Sequence, residues 1–256
     1  MDSVNKTLYI PLYGKAFVSK RGIFLRDPDA ERIWDAAGFS LKGKAASKWL
    51  AYNMGMRSAV FDTWLRANLT ADGVVLHLGC GLDSRCSRVS CENQWFDVDF
   101  PAVIQERKRY FSESERYHML DADLRTDWLK LIPSGGTAIV VMEGVSMYLT
   151  GEERLALLKG LTGHFSEVRL LLDAYTVFAA KATKYKNPIN DVGVTRVYGF
   201  DDPKELERGT GLHFVREHDL TPDTMISALP KKEQNFFRAM FAGKMAKRIY
   251  RLYEYG

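Results

Sequence analysis

A chain of 256 residues and 29.1 kDa, with 46% hydrophobic and 27% charged residues, has the apolar mass to bury a sizeable core, which excludes a disordered chain. Its formal net charge is +4, but the basic excess lies at the ends: residues 1–68 carry 11 basic against 6 acidic groups, residues 231–256 carry 7 against 2, and the stretch between carries 18 against 24. That distribution disfavours nucleic acid as a partner, since a binder gathers its cations on one face, and three cysteines without a Cys-x-x-Cys pair fit neither a disulfide framework nor a zinc knuckle.

The N-terminus shows no apolar run after a basic start, and runs such as Ala138–Met142 fall far short of the roughly 20 residues that span a bilayer. A cytoplasmic protein without a membrane partner is expected. In chain order, periodicity predicts helices over 28–37 and 46–67, with a break at Gly38 to Gly43. A buried strand follows in VVLHLG after Asp72-Gly73, and the same form recurs in QWFDVD (94–99), YHMLD (117–121), TAIVVME (137–143) and VRLLLDAY (168–175). Helical stretches at 101–112, 123–131 and 150–162 separate these runs, and Pro101 suits a first helical turn. Strand alternating with helix predicts a parallel sheet covered on both faces.

Residues 176–211 are polar and read as an inserted loop-helix segment. GLHFVREHDL (211–220) and KRIYRLYEYG (247–256) read as two further strands that pair as an antiparallel edge, with Lys244, Lys247, Arg248 and Arg251 on the wet face of the last. The expected partition is one domain over 1–256: an N-terminal helical cap at 1–68, a core at 69–175, the insert at 176–211 and C-terminal strands at 212–256.

The chemistry concentrates where the first strand ends. His77-Leu78-Gly79-Cys80-Gly81-Leu82-Asp83 places a Gly-x-Gly turn at the carboxyl end of a strand, where Gly79 and Gly81 let backbone approach a ligand. Ser84 stands at the third glycine of a dinucleotide fingerprint and there is no Gly-x-x-x-x-Gly-Lys-Ser/Thr loop, so neither a nicotinamide dinucleotide nor a nucleoside triphosphate is indicated. Asp99 ends the second strand, twenty positions after Gly79, where an acid accepts both hydroxyls of a ribose. A helix N-cap would use the same residue, and the glycine turn beside it favours the ribose. Asp97 reads as a solvated edge charge. With Asp123-Leu124 after the third strand and Glu143-Gly144 after the fourth, acids line the crevice and suit S-adenosylmethionine, a cation with several donors. Arg57 falls on the apolar stripe Leu50, Met54, Phe61, Trp64 of its helix, so it requires an anion, either the carboxylate of that ligand or an internal salt bridge. Lys15, in an N-terminal segment, reads as solvated.

Taken in order, Tyr13-Gly14-Lys15-Ala16 with Ser19, the Arg57 helix, Leu78-Gly79-Cys80-Gly81-Leu82-Asp83-Ser84-Arg85, Asp97-Val98-Asp99-Phe100-Pro101, Asp121-Ala122-Asp123-Leu124 and Glu143-Gly144-Val145-Ser146-Met147-Tyr148-Leu149 resemble the leucine carboxyl methyltransferase family, in its bacterial branch of polyketide-pathway, tetracenomycin-type O-methyltransferases. Cys80 and Ser84 replace the more usual alanine and threonine. The resemblance implies a Rossmann-like class I methyltransferase fold, a mostly parallel seven-stranded sheet with an antiparallel last strand, and S-adenosylmethionine as methyl donor. It implies Lys15 and Arg57 at the methionyl carboxylate, Gly79 and Gly81 along the methionine and ribose, Asp99 on the ribose, Asp123 and Leu124 at the adenine, and Glu143 near the methionyl amine. The acceptor would be a hydroxyl or carboxylate of a small molecule such as a polyketide-like metabolite. An inactive cofactor-binding regulator and a protein C-terminal carboxyl methyltransferase are the alternatives.

The five histidines show no metal-ligand spacing, and no Gly-x-Ser-x-Gly elbow occurs, so no metal site and no serine hydrolase are expected. His77 reads as a core residue bonded to backbone, Cys80 as a small turn residue rather than a nucleophile, and His118, His218 or Tyr148 as the available candidates for a base.

Overall fold

Apolar runs that end in a glycine or an acid become parallel strands, because each is flanked on both faces by helices and must be buried throughout. The computed structural model describes residues 3–38, 40–182 and 197–256. Five parallel strands, β1 (Val74–Leu78), β2 (Gln94–Asp99), β3 (Tyr117–Asp121), β4 (Thr137–Met142) and β5 (Glu167–Tyr175), are joined by β7 (Tyr250–Tyr255), which runs antiparallel between β5 and the edge strand β6 (Phe214–His218). The order across the sheet is β3-β2-β1-β4-β5-β7-β6. This is the Rossmann-like class I methyltransferase sheet, mostly parallel with its last strand reversed.

Alternate residues of each strand feed two cores. Leu76, Leu78, Val98, Val140, Leu170 and Leu172 pack on Leu157, Leu158 and Leu161 of α6 (Gly151–His164), a helix whose start is fixed by a capping box between Thr150 and Glu153. On the other face Val75, Ile139, Val141 and Leu171 meet Phe61, Trp64 and Leu65 of α3 (Lys48–Asn68). Short α4 (Arg85–Arg88) follows β1, α5 (Pro101–Arg107) follows β2, and α7 (Val177–Ala182) follows β5.

Helices α1 (Ser3–Ser19) and α2 (Pro28–Ala36) lie with α3 above the strand ends. Periodicity missed α1, which holds Pro11 in its interior and crosses α3 closely: a Cβ on Gly14 would stand 2.5 Å from the Met54 Cβ. The helix expected over 123–131 shrinks to a single tight turn at Trp128–Leu131, since Asp123 binds the Arg125 N–H through its side chain and the Thr126 N–H through its carbonyl, an arrangement that competes with a helix start. The helix over 101–112 ends at Arg107 and continues as turns.

Two C-terminal expectations are corrected. Lys244 and Lys247 lie on α10 (Gly243–Lys247) and Arg248 follows it, so only Arg251 sits on β7, where it is half-buried against Glu217 at 2.8 Å. β7 itself is interior, with Tyr250, Leu252, Tyr253, Glu254 and Tyr255 all buried, because Tyr253 and Tyr255 enter one core and Tyr250 and Leu252 the other. The stretch 221–246, for which no element was predicted, forms α8 (Asp223–Ile226) and α9 (Lys231–Phe241) ahead of α10. Of the insert, residues 183–196 lie outside the described residues.

Candidate cofactor and acceptor site

A cavity of about 470 Å³ opens above the carboxyl ends of β1 to β4, and Lys15, Arg57, Gly79, Gly81, Asp99, Asp123, Leu124 and Glu143 all line it. Its size and position are those of a ligand crevice in an α/β sheet. The turn after β1 is built for backbone approach. Gly79 has φ +65°, and a Cβ there would meet Val145 Cγ2 at 2.2 Å, so a side chain is excluded on two grounds. Between the glycines Cys80 is buried, and burial pushes its thiol well above the usual range. Such a thiol is no nucleophile.

Asp99 closes the turn from the neighbouring strand. Its Oδ2 accepts from Gly81 N and its Oδ1 from Phe100 N, both at 2.8 Å. It does not cap α5, whose N-cap is Phe100. Burial raises its carboxyl, and each oxygen keeps a lone pair beyond the backbone bond it accepts. Two lone pairs at the cavity wall fit the two hydroxyls of a ribose.

Asp97 is not the solvated edge charge that the sequence suggested. It is fully buried and accepts from Trp95 Nε1 at 2.8 Å, Tyr117 OH at 2.6 Å, His77 Nδ1 at 3.1 Å and Arg107 Nη2. Arg107 of α5 and the Trp95, Tyr117 and His77 side chains close over it on its face of the sheet. Although burial pushes the carboxyl up, Arg107 and the hydrogen bonds from His77 and Tyr117 hold it at about 2. His77 likewise bonds to side chains rather than backbone: Nδ1 faces Asp97, and Arg85 Nη1 stands 3.1 Å from Nε2. Since arginine only donates, the lone pair that a base would use is occupied.

Ion pairs join the strand ends to the cap. Lys15, solvated on the sequence reading, is 2% exposed and its Nζ lies 3.2 Å from Asp83 Oδ2. The reason is α1, which folds over the β1 turn and brings Leu8 against Gly81. Asp83 also pairs with Arg85 at 3.2 Å and Arg88 at 2.7 Å, and Arg85 reaches Asp62 at 2.7 Å and Glu143. Burial raises the Glu143 carboxyl, but Arg85 and Arg57 outweigh it and hold it at about 2. Arg57 takes the internal salt bridge that the sequence left open: Nε binds Glu143 at 2.9 Å and Nη1 binds Asp173 at 3.1 Å. Its Nη2 makes no hydrogen bond to a described residue, and Arg57 lines the cavity together with Gly144. One arm of the fork is thus available to a ligand.

Asp123 is clamped by Arg125, with 2.8 Å between Asp123 Oδ1 and Arg125 Nε, and Leu124 adds an apolar wall. Tyr148, Tyr175 and Tyr250 also line the cavity, with Leu8, Ile10, Leu50 and Met54 from the cap. Burial raises the phenols of Tyr148 and Tyr175, which keeps them protonated donors. His118 stacks on Phe96 and bonds to Gln94, and His218 pairs with Glu254, so neither reaches the cavity. Sequence reading passed over Asp173 and Tyr250. An acid inside the apolar run VRLLLDAY was the available signal for the first.

Glycine turn, ribose-ready carboxylate, partly free arginine and sheet order together define an S-adenosylmethionine-dependent methyltransferase. The profile of the leucine carboxyl methyltransferase family matches residues 4–162, and the chain belongs to that family; it is an S-adenosylmethionine-dependent O-methyltransferase. It is 31% identical to the tetracenomycin polyketide synthesis O-methyltransferase TcmP of Streptomyces glaucescens, over 85% of this chain and 83% of TcmP. It is also 31% identical to the S-adenosyl-L-methionine-dependent methyltransferase dpfgK of Gibberella zeae, over 52% of this chain and 50% of that protein. Among solved structures it is similar to magnesium protoporphyrin IX methyltransferase (ChlM) from Synechocystis PCC 6803 with bound SAH, at TM-score 0.52 and 14% identity over 89% of this chain and 92% of that one. A methyltransferase from Mesorhizobium loti gives TM-score 0.52 and 14% identity over 75% and 95%. These likenesses concern the fold. No helix among the described residues is long and apolar enough to cross a membrane.

Proposed function

We propose that this enzyme methylates an already ionised oxygen, a carboxylate or acidic phenol, on a small, largely apolar acceptor of the polyketide-like class. The observation that carries this reading is the cavity itself: among the described residues lining it, each carboxylate and the imidazole of His77 already accept from protein donors. With the two remaining lone pairs of Asp99 given to the ribose, no base is left over for the acceptor, and an acceptor that arrives as an anion needs none. The apolar side chains of Leu50, Met54, Ile10 and Tyr148 suit such a molecule better than a polar peptide end. The core at 69–175 would hold the cofactor and the cap at 1–68 would cover the acceptor. Free thiols at Cys80, Cys86 and Cys91 support a cytoplasmic setting.

Bound S-adenosylmethionine supplies an electrophilic methyl group on a good leaving group. The chain's own part is to align and to exclude water. Gly79 and Gly81 give backbone approach, Asp99 takes the ribose hydroxyls, Asp123 and Leu124 face the adenine, Glu143 takes the amine, and Lys15 and Arg57 Nη2 the carboxylate. The test is methyl transfer from labelled donor to a panel of phenols and carboxylic acids, read by mass, with and without a chelator. Transfer to a carboxylic acid or acidic phenol, unaffected by chelation, is expected; transfer only to a peptide C-terminus, or none with cofactor bound, would reject this acceptor class.

Asp99→Asn probes the ribose contact. The amide turns one acceptor into a donor and must set it against either the Gly81 or the Phe100 N–H. Losing a charge-assisted hydrogen bond corresponds to roughly a tenfold to hundredfold rise in KM for S-adenosylmethionine. Turnover at saturation should change little, since the contact is made equally in ground and transition states.

A further inference from the structure

Asp173, near the end of β5, is fully buried and surrounded by donors. Both of its oxygens face Gly144 N, at 2.8 and 2.9 Å. Oδ2 also accepts from Arg57 Nη1 at 3.1 Å and from Tyr250 OH at 2.7 Å, and Arg57 Nη1 donates to the Tyr250 oxygen at 2.8 Å. Acid, guanidinium and phenol therefore close a triangle that joins α3, β5 and the first residue of β7. Nη1 is fixed by the triangle and Nε by Glu143. A guanidinium is planar, so fixing two nitrogens sets the direction of the third. That third nitrogen, Nη2, is the one left without a hydrogen-bond partner among the described residues, on a side chain that lines the cavity.

We propose that Asp173, bridged by Tyr250, is the positioning residue that aims Arg57 Nη2 at the carboxylate of the methyl donor. The proposal rests on the role given to Arg57 above. The groups facing Asp173 are Arg57 from α3, Glu143 and the Gly144 N–H after β4, and Tyr250 from β7, with Tyr148 and Tyr175 nearby. Glu143 is held near 2, and Arg57 and the phenols sit high, whereas burial outweighs the pull of Arg57 and the Tyr250 hydrogen bond and takes Asp173 to about 6. Its folded value lies above its ordinary one, so the native state binds the extra proton and stability falls as pH rises from about 4 through 6. A carboxylate kept ionised at neutral pH against folding stability is the pattern of a group retained for the site.

Calorimetric titration with S-adenosylmethionine from pH 5 to 8 reads the proposal without turnover. Wild-type affinity should fall about tenfold as pH drops from 7 to 5, the loss expected when one charge-assisted contact goes. Asp173→Asn should bind weakly at every pH, with a flat profile, and Tyr250→Phe should weaken binding severalfold while keeping the pH dependence. Wild-type affinity in Asp173→Asn, with Arg57→Ala weakened, would overturn the proposal and leave the role of Arg57 standing. Unchanged binding in Arg57→Ala would remove that role and this proposal with it. A flat wild-type profile overturns it even if Asp173→Asn does not fold.

Discussion

Arg57→Ala is expected to weaken S-adenosylmethionine binding by tens-fold or more and to lower the melting temperature of the ligand-free protein. Both effects come from one side chain with two duties: Nη2 is left for the ligand, and Nε and Nη1 neutralise Glu143 and Asp173. Removing one partner of a buried ion pair costs about 3–5 kcal/mol, on the order of 10 °C for a protein of this size. The two carboxylates do not suffer equally. Glu143 keeps Arg85 and Ser58, whereas Asp173 keeps only Gly144 N and Tyr250. Asp173 already titrates at about 6 with Arg57 present. Without that cation its value rises further, so the orphaned acid binds a proton and the stability deficit should shrink from pH 8 to pH 5. Thermal melts across that range, beside calorimetry at each pH, check both halves. A deficit independent of pH, with full affinity, would leave Arg57 a replaceable packing residue.

The sheet was legible because its strands are short apolar runs that each end in a turn residue or an acid, and a strand covered on both faces requires that pattern. β1, β2 and β3 fall where they were read. What failed depends on partners distant in sequence. Pro11 and Gly14 punctuate α1 in the sequence, but the helix forms against α3, where Gly14 permits a close crossing that no local signal reveals. Lys244 and Lys247 are read with the last strand, yet they stand three positions apart, the spacing of the helix α10 that holds them ahead of β7.

The site was legible to the extent that its residues sit at strand ends. All eight candidates line one cavity, since parallel strands present their carboxyl ends to a common crevice. Their pairings were not legible. Whether Lys15 is solvated depends on where α1 lies, and whether Arg57 meets a ligand or a carboxylate depends on Asp173, 116 positions away. The sequence placed Asp97 and Asp99 two positions apart at the end of β2. It could not tell that Tyr117 of β3 and Arg107 of α5 close over Asp97, two residues before the strand opens into the cavity.

That closure gives Asp97→Ala a cost to folding as large as that of Arg57→Ala. Four donors converge on the carboxylate, and Arg107, fully buried, would lose its anion. A cost of about 3–5 kcal/mol follows, again on the order of 10 °C in melting temperature. The sign with pH is opposite to that of Asp173. The carboxyl is lowered from 3.8 to about 2, so its stabilisation is complete above pH 4 and is lost as pH falls toward 2. The gap between wild type and Asp97→Ala should therefore narrow over that interval. Binding should suffer as well, though indirectly: Arg107 also donates to the Gly81 carbonyl at 3.0 Å, so an unanchored Arg107 loosens the glycine turn. A large joint loss of stability and affinity in Asp97→Ala, against a loss of affinity with only a small loss of stability in Asp99→Asn, would separate the acid that builds the turn from the acid that faces the ligand. A variant at position 97 that melts like wild type at pH 7 would return Asp97 to the solvent-facing role its sequence suggested.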